Sequence, residues 1–286
     1  KFWKGFPVKP VQEYTIEFRS WPSKGLHDRI LTPGETFMKY GKKPVSKNIV
    51  MGKRLYSQRI LSNLKDFSKI NLIKHQMSDA TTCLSPYINL GIISIREVYW
   101  ATCNTNIDLI VDQLILRDFY IHLVYERNTS NGKIINWATM SDPIVKKNFE
   151  ALQQGKTGFP IIDASIRQML QTGYMNNQGK IIVASFLTKN LRIDWKYGEE
   201  FFAKHLIDYN IYASSGGWQW VAGTAIDSQP FAKVINPWKH ARQFDPNATF
   251  VKKYIPELEK VPVADILNWE NKYSTYDTPD APICMI

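Results

Sequence analysis

From residue 53 onward, apolar side chains recur every three or four positions, the spacing that gathers them on one side of an α-helix. The pattern predicts helices over 54–64, 95–101, 107–125, 143–153, 161–172, 178–191 and 199–208. Glycines at 173, 179 and 198 fall at or near segment ends, and no repeating alternation of strand and helix periods appears. The reading is an all-α domain over 53–286. Ahead of it, Pro7, Pro10, Pro22, Pro33 and Pro44 interrupt any long helix, so 1–52 reads as an extended lead-in.

Composition narrows the class. A chain of 286 residues can bury a full core, and a net charge of +10 favours a polyanionic partner or an acidic surface. Cys83, Cys103 and Cys284 are odd in number and lack C-x-x-C spacing, which argues against a disulfide framework and a metal site and for a reducing, intracellular compartment. The longest strongly apolar run, 181–187, is too short to span a bilayer, so no membrane association is expected. The start at Lys1 in place of Met is compatible with a fragment or a processed product.

The densest chemistry lies in Gly216-Gly217-Trp218-Gln219-Trp220-Val221-Ala222-Gly223-Thr224, continuing through Asp227, Pro230 and Asn236-Pro237. Two indoles two apart, between a glycine pair and a run of small residues, offer flat π-surfaces where backbone can approach closely, as a flat ring ligand requires. A buried aromatic anchor in a helical core is the other reading. The stretch resembles the flavin-binding region of the photolyase and cryptochrome family, GGWQWxA(S/G)TxxDxxPxxxxxNP, and the resemblance extends over about residues 53–267. It implies a helical FAD-binding domain, here without the family's N-terminal α/β antenna domain: either the chain is the flavin half alone, with a separate antenna domain or chain as a possible partner, or it works without an antenna domain of its own.

Further cofactor residues follow from the same resemblance. Thr81-Thr82-Cys83-Leu84-Ser85-Pro86-Tyr87 is similar to the phosphate-binding TSxLSPY, assigning that role to Thr81, Thr82, Leu84 and Ser85. Hydroxyls before a helix-starting Pro suit an anion, though they equally suit a helix cap. Phe67 is the counterpart of a Tyr that packs on the cofactor. Tyr174-Met175-Asn176-Asn177-Gln178-Gly179-Lys180 resembles GWMHNRxR, so Asn177 meets the flavin edge and Lys180 stands for the Arg that pairs with Asp208. Lysine keeps the charge and loses the planar fork. Asn210 replaces the second acid of DxDL, and Ser214 stands beside the reactive flavin nitrogen, where repair enzymes carry Asn.

Trp218, Trp195 and Trp137 match the family's electron-transfer chain from the surface to the flavin. Asp112 to Tyr120 resembles ELIWREFY, placing Gln113, Leu116, Arg117 and Tyr120 on one helical side. The resemblance assigns lesion and DNA contacts to these four together with Asn177, Trp220 and His240. Gln113 and Leu116 replace the Glu and Trp that grip the damaged bases. Asn176, where repair of (6-4) photoproducts needs His, argues against that substrate.

The implied activity is light-driven repair of cyclobutane pyrimidine dimers in DNA by a monomer, with electrons from reduced FAD. A second reading, a cryptochrome-like receptor or other flavoprotein without repair, rests on Gln113, Leu116 and Ser214. A third, a basic helical domain that holds nucleic acid by charge alone, requires the flavin motifs to be coincidental.

Overall fold

The computed structural model describes residues 61–62, 77, 82–103, 108–125, 135–225, 234–277 and 281–284. Among them the structure is helical and holds no extended strand. They fall into two compact units, residues 82–115 belonging to the first, and Met77 with the residues from Leu116 onward to the second.

In the first unit, Pro86 occupies the opening turn of α1 (Ser85–Asn89), where its missing N–H costs nothing. A reciprocal cap starts α2 (Ile95–Cys103): the Ser94 N–H donates to Glu97 Oε2 at 2.7 Å, and the Glu97 N–H donates to Ser94 Oγ at 3.1 Å. Helix α3 (Asp108–Tyr125) follows, its residues up to Ile115 counted in this unit and those from Leu116 in the second.

The second unit is built on α5 (Pro160–Thr172), buried along most of its length and packed by α4 (Pro143–Gln154), α6 (Asn177–Ser185), α9 (Pro237–Phe244) and α10 (Thr249–Tyr254). Phe159, at its start, stacks on Trp238 at 4.6 Å and tilts against Phe186 at 4.8 Å. Burying a ring of that size contributes about 1.5–3 kcal/mol, so this aromatic triple anchors three segments distant in sequence. A second helical pair, α7 (Trp195–His205) on α8 (Ile211–Ala222), leans on α6. Helices α11 (Val263–Leu267) and α12 (Trp269–Lys272) close the end of the chain with the fully buried Trp269.

A carboxylate secures the turn before α5. Asp163 Oδ1 accepts from the Thr157 N–H at 2.8 Å and hydroxyl at 2.6 Å, while Oδ2 accepts from the Gly158 N–H at 3.0 Å. Gly158 holds φ at 76°, and a Cβ there would stand 2.5 Å from Ala281 backbone. The Ile283 N–H donates to Thr157 O at 3.0 Å, so the same turn also fastens residues 281–284. Burial pushes the Asp163 carboxyl up to about 6 against the pull of these donors.

Two expected helices change shape. The one over 178–191 ends at Ser185 and widens into a π-turn, Phe186–Asn190. The one over 199–208 starts earlier and stops at His205, because Asp194 Oδ1 accepts from the Lys196 N–H at 3.1 Å and sets the start. Of 54–64, only Leu61 and Ser62 lie among the described residues, and both are helical. None of the described helices is long and apolar enough to cross a membrane.

Candidate functional site

The polar heart of the second unit is where α6 meets the chain entering α8. Asn176 caps α6, its Oδ1 accepting from the Gly179 N–H at 2.7 Å and its Nδ2 donating to Met77 O at 3.3 Å. That leaves Asn177 exposed as the first helical residue. One turn on, Lys180 Nζ donates to both Asp208 carboxylate oxygens at 3.1 and 3.0 Å and lies 5.9 Å from the Tyr174 ring centroid. The Asp208 side chain is 3 % exposed and that of Lys180 29 %, so a nearly buried anion is answered by a cation that still reaches solvent. An Ile207 N–H to Gly173 O bond of 2.8 Å ties this loop to the end of α5.

Asn210 starts α8, its Oδ1 accepting from the Tyr212 and Ala213 N–H groups at 3.2 and 3.1 Å. The amide oxygen expected at the flavin is thereby engaged by backbone, a capping role the sequence pattern did not reveal. Ser214 follows, half-buried.

Helix α8 has two unlike sides. A Cβ on Gly216 would collide with the Tyr120 ring, whereas at Gly217 no described atom lies within 4 Å of where a Cβ would stand. Trp218 turns inward, 4 % exposed and edge-on to Phe202 at 4.9 Å. Trp220, about 200° further around the helix, is 43 % exposed. The paired indoles therefore divide the two sequence readings between them: one is a core anchor and the other an open π-surface.

The three tryptophans occur in a structural order. Asn136 O accepts from Arg192 Nη2 at 3.4 Å and the Ala138 N–H donates to Arg192 O at 2.7 Å, which fastens the segment bearing Trp137 just ahead of Trp195. Gly198, one turn beyond Trp195, lies against the indole of Trp218. Trp137 and Trp195 are half-buried, and Trp218 is buried. Beside this series, the Tyr209 hydroxyl donates to Glu199 Oε1 at 3.2 Å, and Ser215 donates to the same carboxylate.

In the first unit, half-buried Thr82 precedes Cys83, held at a φ of 47°, then buried Leu84 and exposed Ser85. Gln113 is exposed. In the second unit, Leu116 is exposed, Arg117 pairs with Asp118 at 3.3 Å, and Tyr120 is buried against Gly216. His240 is buried at 5 % exposure and packs on Phe244 with ring centroids 4.2 Å apart, its Nε2 without a hydrogen-bond partner among the described residues. Burial pushes its pKa down to about 4. Phe67 and Thr81 lie outside the described residues.

An exposed amide, a half-buried ammonium–carboxylate pair, a half-buried hydroxyl on α8 and a helix side left open at a glycine are the donor set and the space that a flat, polar-edged ring needs. The class so defined is a helical flavin-binding domain. A sequence profile for the FAD binding domain of DNA photolyase matches residues 110–281, and the chain belongs to that family. It is 38 % identical over 226 residues to a deoxyribodipyrimidine photo-lyase of Vibrio cholerae, an alignment covering 73 % of this chain and 48 % of that protein. Among solved structures, it is similar to an archaeal photolyase from Sulfolobus tokodaii with two FAD molecules (TM-score 0.74, 31 % identity, 87 % of this chain and 56 % of that one). It is also similar to a cryptochrome of Synechocystis (TM-score 0.72, 27 % identity, 85 % and 55 %). The chain spans about half the length of the relatives it matches.

Proposed function

We propose that this chain uses FAD to repair cyclobutane pyrimidine dimers in DNA under blue light. The observation that carries the reading is the order Trp137, Trp195, Trp218, running from half-buried to buried and ending on α8, whose other side is open at Gly217. FAD, when bound, supplies light absorption and the electron that splits the dimer.

In this reading Asn177, Lys180 and Ser214 hold the ring, and Asp208 fixes Lys180. A fixed ammonium beside the ring favours its reduced, anionic form. Trp220 offers a stacking surface to a base turned out of the duplex, a step photolyases require. The net charge of +10 supplies the pull on phosphate. A monomer in the cytoplasm or nucleus, with any antenna on a separate domain or chain, completes the proposal.

The test is repair itself. Protein reconstituted with reduced FAD should remove dimers from a defined oligonucleotide in blue light and not in the dark; no light-dependent loss at saturating protein rejects the reading. Exposed Gln113 and Leu116, which lack the acid and the stacking ring of a lesion grip, favour a second reading, a cryptochrome-like flavoprotein without repair. Photoreduction with equal affinity for damaged and intact duplex would select it.

A further inference from the structure

We infer that Tyr209 is an electron donor to Trp218, with Glu199 as the base that takes its proton; this rests on the flavin reading above. A phenol gives up an electron readily only if its proton leaves with it, so a redox-active tyrosine needs a base already within hydrogen-bond reach. Tyr209 has one: its hydroxyl donates to Glu199 Oε1 at 3.2 Å.

The carboxylate is carried by the residue next to the glycine that meets the indole. Glu199 follows Gly198, whose backbone abuts Trp218. From α8 it receives the hydroxyl of Ser215, one turn before Trp218, and Gln219 Nε2 donates in turn to Ser215 Oγ at 3.3 Å. Burial raises the Glu199 carboxyl above its ordinary range and so makes it a better proton acceptor. Phe202, the ring in edge contact with Trp218, has no O–H to release. Tyr276 also donates to a carboxylate, that of Asp265, but it stacks on Trp269, outside the tryptophan series.

The light chemistry that FAD would supply when bound would leave Trp218 one electron short. Tyr209 returns one electron to the oxidised indole while its O–H bond breaks and the proton passes to Glu199 Oε1. The products are a neutral tyrosyl radical, a restored Trp218 and a protonated Glu199. Charge recombination is delayed because the hole has moved off the indole and its proton has been stored.

The FAD-loaded chain, illuminated and frozen, is examined by electron paramagnetic resonance with ring-deuterated tyrosine to identify the radical. A tyrosyl signal is expected in the unaltered chain, replaced by a tryptophanyl signal in Tyr209→Phe. Glu199→Gln, which keeps an acceptor oxygen without a usable base, is expected to lose the tyrosyl signal as well. Burial first, and then the Glu199 carboxylate, pushes the Tyr209 phenol up to about 12, so a spectrophotometric titration of the flavin-free chain supplies an independent readout, in which Glu199→Gln removes the carboxylate's share of that rise. Thermal melts verify that both variants fold. A tyrosyl signal unchanged in Tyr209→Phe, or only tryptophanyl radicals in the unaltered chain, overturns the proposal and leaves the flavin reading standing. No radical of either kind with FAD bound overturns both.

Discussion

Gly198 lies so close beneath the indole of Trp218 that a Cβ on it would stand 2.7 Å from Cζ3 and 2.9 Å from Cζ2. Helix α7 carries a glycine there because α8 brings a large ring to that point, and Phe202 meets the same ring edge-on at 4.9 Å. Gly198→Ala must push Trp218, α7 or both. Overpacking of this kind costs about 1–3 kcal/mol. Urea unfolding should show that loss, and illumination of the flavin-loaded variant should give less oxidised Trp218; an unchanged midpoint would mean that the two helices separate freely.

The Lys180–Asp208 pair makes a second prediction. Removing the cation in Lys180→Met leaves a carboxylate with 3 % exposure without its opposite charge. A fully buried pair broken this way loses about 3–5 kcal/mol; with Lys180 still reaching solvent, about 1–3 kcal/mol is the expected cost. Lys180→Arg should keep most of the stability. Flavin affinity, read by fluorescence quenching, should fall in the methionine variant and survive in the arginine one.

How far the sequence foretold this arrangement differs from element to element. The helices over 95–101, 107–125, 143–153 and 161–172 were legible because apolar residues recur along each at helical spacing, and their observed ends agree within two residues. Helix α8 was not among the expected helices; Gly216 is there because Tyr120 occupies the space of a side chain, a contact between segments far apart in sequence. The short helices α9 to α12 lack the length for a period to show, and the π-turn after Ser185 has no local signal. Asn177, Lys180 and Asp208 were found through a motif, and the ion pair of the last two is present. Glu199 and Tyr209 escaped notice because ten residues and a helix end separate them in the chain.

Asp163 should tilt the pH dependence of stability. Its folded pKa, raised by burial to about 6 from 3.8, means that between about pH 4 and 6 the folded chain holds a proton the unfolded chain has released. Stability therefore falls as pH rises through that window and levels off above it, by roughly 3 kcal/mol for a shift of this size. Asp163→Asn removes this component. Comparing urea midpoints of the two proteins from pH 4 to 7 tests it: parallel curves would show that the three hydrogen bonds to the carboxylate, not its burial, govern the site.

His240 acts in the opposite sense. Burial lowers its folded pKa from 6.5 to about 4, so between those values the unfolded chain binds the extra proton and stability rises with pH. The two slopes oppose each other from about pH 4 to 6, and the unaltered protein should look flat there. His240→Phe should uncover the falling component of Asp163, and Asp163→Asn the rising one of His240. A double variant whose profile equals the sum of the two single ones would show that the sites are independent.

Leu116 is the position where this chain departs most plainly from a lesion-gripping pattern. Its side chain is 43 % exposed on α3, as Trp220 is on α8, but only Trp220 presents an aromatic surface. Base–aromatic stacking contributes about 1–3 kcal/mol per base, which converts to roughly five- to 150-fold in affinity. Leu116→Trp, with room at the surface, should tighten binding to a dimer-containing duplex by a factor in that range and leave affinity for intact duplex nearly unchanged. Fluorescence anisotropy at one fixed salt concentration measures both, since the charge-driven share of binding is common to the two duplexes. A gain confined to damaged DNA would mean that the leucine had weakened an existing lesion site, and an equal gain on both duplexes would mean that no such site is present.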